Sequence, residues 1–134
     1  MDHVSASDLV AVPLFAELPD NFLAEIAERF EVVRHRPGHA IVVEGRSGYS
    51  FFVLAEGTAT VTHDGQVLRT MGPGDFFGEI AILGPQGRRT ATVTAVDDVV
   101  VWELFGTVFR TLQMESPDVA QALEQAMRAR LDTG

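Results

Sequence analysis

The stretch from Ser50 to Glu79, SFFVLAEGTATVTHDGQVLRTMGPGDFFGE, decides the fold. Three β-rich runs, SFFVLAEG, TATVTH and QVLRTMG, follow one another with only glycine-bearing turns, AEG, HDG and MGPG, to separate them. The pattern extends both ways: HAIVVEG lies upstream after an RPG turn, and TATVTAV and DVVVWEL lie downstream. Many short strands at even spacing, with no crossover helix between neighbours, predict a sandwich or barrel rather than a parallel sheet. The β-rich region is expected to span residues 32–104.

Helical periodicity flanks it. In DNFLAEIAERF, residues 20–30, Phe22, Leu23, Ile26, Ala27 and Phe30 fall on one helical face, with Asp20 as a plausible N-cap. The preceding DLVAVPLF reads as a shorter helix broken at Pro13, which cannot occupy a helix interior. Helix returns over residues 105–131. Ser116 and Pro117 form an N-cap and first-turn pair, and Val119, Ala122, Leu123, Ala126, Met127 and Leu131 make an apolar stripe. The simplest expectation packs that stripe on the β body; packing on a second copy, as a homodimer, is the alternative.

At 134 residues the chain is expected to be one domain, 1–134, with a core of useful size. It has no cysteine, which excludes disulfides and thiolate chemistry. No apolar run approaches a membrane span. The start, MDHVSASDLV, lacks the basic and apolar parts of a signal peptide, so a cytoplasmic location is expected. A net charge of −9 argues against direct nucleic-acid binding, because phosphate backbones require a basic face.

Against that acidic background, FFGEIAILGPQGRRTATV, residues 76–93, is unusual: two adjacent arginines stand in a glycine-rich loop, about ten residues after Glu79. Gly78 to Leu83 reads as a turn or so of helix between strands. A helix start offers unpaired N–H groups to a phosphate, Gly78 lets an anion approach the backbone, and a guanidinium fork fits phosphate oxygens. Glu79 repels phosphate, and makes sense only if the ligand also presents hydroxyl donors, as a ribose does.

FGEIAIL followed by RRTATV resembles the phosphate-binding cassette of the cyclic nucleotide-binding domain family, and RPGHAIVVEGRSGYSFFVLAEGTATV is similar to its early strands. The resemblance implies an α+β, mainly β, antiparallel β-roll of jelly-roll type. Short N-terminal helices precede the roll, a cassette helix lies within it, and hinge and lid helices follow. It also implies that Glu79 accepts from the ribose 2′-hydroxyl and that Arg89 pairs with the cyclic phosphate, Arg88 being the weaker candidate. Gly78, Ile80 and Ala81 would supply backbone contacts, and Thr90 a hydroxyl to phosphate or purine. Val61 would face the base, and Phe77 and Ala91, within the cassette at 76–93, are further ligand-binding candidates. Met127, Arg130 and Leu131 are the lid candidates.

The ligand so implied is cAMP, with cGMP also compatible, and no further cofactor is expected. The expected partner is an effector protein or effector domain. Two other readings compete: a ligand-free interaction module of the same fold, and a cupin-like metal enzyme. HRPGHAIVVEG brings His35, His39 and Glu44 close in sequence, which resembles the cupin metal strands. The His spacing crosses a Pro-Gly turn, however, and His63 stands alone. With no Ser/His/Asp constellation or activated nucleophile, a non-enzymatic binding domain is expected. Asp97–Asp98 reads as a strand-flanking turn.

Overall fold

The computed structural model describes residues 3–46, 50–79, 83 and 91–133, with side chains to residue 130. Helix α1, Ala6–Val10, is followed by a 3-10 turn at Pro13–Phe15 and by α2, Asp20–Ala27. Ser5 opens α1 through a capping box with Asp8. The residue preceding α2 is Pro19, so Asp20 lies inside the first turn instead of capping it. Its carboxylate suits the positive end of the helix there.

Eight strands follow among the described residues: β1 Glu31–His35, β2 Ala40–Val42, β3 Ser50–Glu56, β4 Ala59–His63, β5 Gln66–Met71, β6 Phe76–Phe77, β7 Thr92–Ala95 and β8 Val99–Phe105. They make two four-stranded sheets, ordered β1-β8-β3-β6 and β2-β7-β4-β5, and every pairing is antiparallel. This is the expected mainly-β roll. Helices α3, Gly106–Glu115, and α4, Pro117–Thr133, complete the chain.

Two apolar clusters account for the architecture. Between the sheets lie Phe52, Leu54, Ala59, Val61, Met71, Phe77, Val93, Ala95, Val99 and Val101. Strands β4 and β7 alternate, with Ala59, Val61, Val93 and Ala95 buried and their threonines on the other face. The second cluster covers the outer face of the first sheet, where Phe51, Val53 and Leu104 meet Leu9, Phe15, Leu23, Ile26, Phe109, Leu112, Leu123 and Met127 from the helices. Strand β3 is therefore buried on both faces, which explains its unbroken apolar run. Two aromatic contacts join β3 to β6: Phe51 packs diagonally on Phe76 at 5.7 Å beneath the helices, and Phe52 stacks on its register partner Phe77 at 4.8 Å inside the roll.

The turns use the glycines that the sequence singles out, and Gly57 does more than turn. Its φ is +90°, and a Cβ there would lie 2.4 Å from the carbonyl oxygen of Asp98. Only glycine lets the β3–β4 turn approach the turn before β8, where Asp97 accepts from the Thr58 amide at 2.8 Å. Asp97–Asp98 is thus a strand-flanking turn, as read.

The α4 stripe departs from expectation. Val119, Ala120, Leu123 and Met127 are buried against α3, α2 and the 3-10 turn, so the stripe packs chiefly on other helices rather than on the β body. Pro117 opens α4 as expected. Ser116 caps it through its backbone carbonyl, which accepts from Val119 and Ala120, while its hydroxyl donates to Glu25 on α2. Arg29 donates to Glu115 at 2.8 Å beside this bond, and together they tie the α3–α4 junction to α2.

Candidate functional site

The cassette region is described in part. Strand β6 delivers Phe77, whose ring is 5% exposed and belongs to the roll core. Gly78 follows at φ +78°, a left-handed conformation that costs glycine little. The carbonyl of Glu79 accepts from the amide of Leu83 at 2.8 Å. Strand β6, the left-handed glycine and the bond to Leu83 thus set the backbone of Glu79 just beyond the end of β6. Ile80, Ala81, Arg88, Arg89 and Thr90 lie outside the described residues. Ala91 packs against the inter-sheet cluster, and Val61, 7% exposed, belongs to that cluster on β4.

Glu79 borders a cavity of about 460 Å³, together with Arg69, Asp75, Phe76, Pro13 and Arg130. Sequence reasoning missed Arg69 and Asp75. Arg69 pairs with Val61 across the β4–β5 ladder and stands two residues before the buried Met71. The alternation of β5 therefore already puts it on the inward-facing side. Asp75 has a structural task as well, since it accepts from the Gly72 amide at 2.9 Å in the turn that leads into β6.

The three lid candidates separate. Met127 is fully buried in the helical cluster, so in this arrangement it is a core residue and not a free lid. Arg130 is exposed, donates to the carbonyl of Pro13 at 2.9 Å and lines the Glu79 cavity. The Leu131 side chain lies outside the described residues.

The cupin-like trio is not assembled. His35 and His39 stack with ring centroids 4.9 Å apart. Glu44 instead faces His63 on β4 at 3.2 Å, so His63 does not stand alone. Burial, and secondarily the neighbouring His39, hold His35 below the ordinary imidazole value of 6.5. Its Nε2 is buried without a hydrogen-bond partner among the described residues. Because the folded state resists the proton that the unfolded chain accepts, this contribution to stability is complete above 6.5 and is lost as pH falls below it. Urea unfolding at pH 7.5 and 5.5 should show a smaller acid loss in His35→Phe than in the parent; an equal loss would assign the pH dependence to other groups.

Residues 32–116 match the family described as cyclic nucleotide-binding domain. The chain is 28% identical over 112 residues to a cGMP-dependent protein kinase of Plasmodium berghei, covering 84% of this chain and 13% of the kinase. It is 34% identical over 104 residues to a cAMP-dependent protein kinase regulatory subunit of Hypocrea atroviridis, covering 78% of this chain and 22% of the relative. Among solved structures, the N-terminal domain of a transcriptional regulator from Streptomyces coelicolor superposes with a TM-score of 0.80 at 30% identity. That superposition covers 94% of this chain and 93% of the other. The roll, its flanking helices and these matches agree: the chain belongs to the cyclic nucleotide-binding domain family. It spans less than a quarter of the two kinase-related relatives. No helix among the described residues is long and apolar enough to cross a membrane.

Proposed function

We propose that residues 1–134 form a single sensor domain that binds a 3′,5′-cyclic nucleotide, cAMP by preference, without catalysing a reaction, and acts in the cytoplasm through an effector protein or effector domain. The observation that carries this reading is the entry to the cassette, where left-handed Gly78 precedes Glu79, whose carbonyl accepts from the Leu83 amide, beside the inter-sheet cluster that holds Phe77 and Val61. Glu79 accepts from the ribose 2′-hydroxyl, Arg89 pairs with the phosphate and Val61 meets the base. Gly78, Ile80 and Ala81 contribute backbone, and Thr90 a hydroxyl. Phe77 holds the strand in place from the core side.

Calorimetric titration with cAMP, cGMP and AMP tests the reading. A cyclic nucleotide at a hundredfold above Kd should also stabilise the fold by about 2.7 kcal/mol. An absence of both heat and stabilisation with every nucleotide would instead mark a ligand-free interaction module. Glu79→Gln keeps the shape of the side chain and removes its charge, and should weaken binding by about 1–2 kcal/mol. A 2′-deoxy ligand should then show little further loss in the variant. Additive losses would place Glu79 away from the ribose.

Coupling to α4 is part of the proposal. With Leu123 and Met127 packed under the N-terminal helices, the accessible lever is the far end of α4, where Arg130 reaches both Pro13 and the Glu79 cavity. A ligand biases this element only through contacts that differ between its two positions. Hydrogen exchange near Arg130 should slow on adding cAMP, together with residues 78–90. Slowing confined to the cassette would mean that the signal leaves by another route.

A further inference from the structure

We propose that Glu44, His63 and Asp64 form a binding site for a divalent transition-metal ion of the zinc type, at the opposite end of β4 from its turn with β3. Glu44 follows β2, His63 ends β4, and Asp64 is the first residue of the two-residue turn to β5. Asp64 and Gly65 both have positive φ, +50° and +79°, the geometry of a tight Asp-Gly hairpin. That turn holds Asp64 beside His63.

Glu44 is fixed from a third direction. Its amide donates to the Thr92 hydroxyl oxygen at 3.0 Å, that hydroxyl donates back to the Glu44 carboxylate at 3.3 Å, and the Asp64 amide donates to the same carboxylate at 3.2 Å. A carboxylate oriented by neighbouring donors is what a metal ligand requires of its surroundings. The imidazole of His63 then sits between two carboxylates, Nδ1 at 3.2 Å from Glu44 and Nε2 at 3.4 Å from Asp64. A proton on either nitrogen bridges it to a carboxylate, and a metal ion at that nitrogen takes the proton's place between the same groups.

The three residues offer ligand atoms that all lie within 4.8 Å of one another. Bonds of about 2.1 Å in a tetrahedral site separate ligand atoms by roughly 3.4 Å, so the exposed side chains of His63 and Asp64 have to draw inward to share one ion. One nitrogen and two carboxylates, with no sulfur, select an intermediate ion such as zinc, cobalt or manganese over calcium or magnesium, which favour all-oxygen sets. The bound ion would join the segment after β2 to the β4–β5 hairpin and, through Thr92, to the first residue of β7.

The test uses the full chain, free of any histidine tag and stripped with chelator, titrated with Co²⁺ and read by visible absorption. One Co²⁺ per chain is expected, displaced by Zn²⁺, with affinity reduced by roughly tenfold or more in both His63→Gln and Glu44→Gln. Far-UV circular dichroism checks that these exposed-site variants are folded. If neither Co²⁺ nor Zn²⁺ binds, the proposal is overturned and the trio is an ion-paired hairpin lock around an imidazolium. Binding that persists in His63→Gln and disappears in His39→Ala also overturns it, and would assign the metal to the stacked His35–His39 pair.

Discussion

Arg89→Ala is expected to weaken cyclic nucleotide binding by about 2–5 kcal/mol, because removing one partner of a desolvated charge pair leaves the other without compensation. In affinity this is roughly 30-fold to several-thousand-fold. Arg88→Ala should cost far less, since the RTATV pattern that carries the resemblance begins at Arg89. Calorimetry on both variants decides the matter. Equal losses would show that the register across the GPQG loop is one residue off. Thermal unfolding without ligand should be nearly unchanged in both, which separates a ligand contact from a structural role.

Phe51→Ala should do the converse. Phe51 is fully buried on the outer face of β3, 6.3 Å from the ring of Phe30 and 5.7 Å from that of Phe76, in the cluster that joins the helices to the roll. Deleting a large buried aromatic costs about 3–5 kcal/mol through lost transfer energy and the cavity left behind. For a domain of this size the melting temperature should fall by roughly 10–20 °C. The ligand affinity of the molecules that remain folded should be little altered, because Phe51 faces the helices while Phe52 faces the roll. Urea unfolding measures the loss. A cost below about 1 kcal/mol would mean that the helices do not depend on this face of the sheet.

Six strand runs quoted from the sequence correspond to β2, β3, β4, β5, β7 and β8. Their identity was legible because β-branched residues and glycine turns act locally. Strand β6, two residues long, has too little sequence to show a period, and exists because Phe76 and Phe77 find Val53 and Phe52 across the ladder. The candidate site divides in the same way. The Gly78–Glu79 step was readable from residue types and Arg130 was a lid candidate by resemblance, whereas only the fold brings Arg69 of β5 and Arg130 of α4 to the Glu79 cavity.

By itself, the sequence determined the class of protein, the order of its elements, the positions of its turns and the apolar faces of its helices. The class was carried by the resemblance of FGEIAIL and RRTATV to a known family; the others depend on near neighbours, on the 2-residue and 3.6-residue periods and on backbone freedom at glycine. Only the tertiary structure decided what each face meets. It buried β3 on both sides, set the α4 stripe with Met127 under the N-terminal helices, and gave Glu44 to His63 rather than to His35 and His39. Such choices rest on which distant surfaces exclude water best together and on strand registers fixed by partners dozens of residues away, such as Ser50 with Phe105.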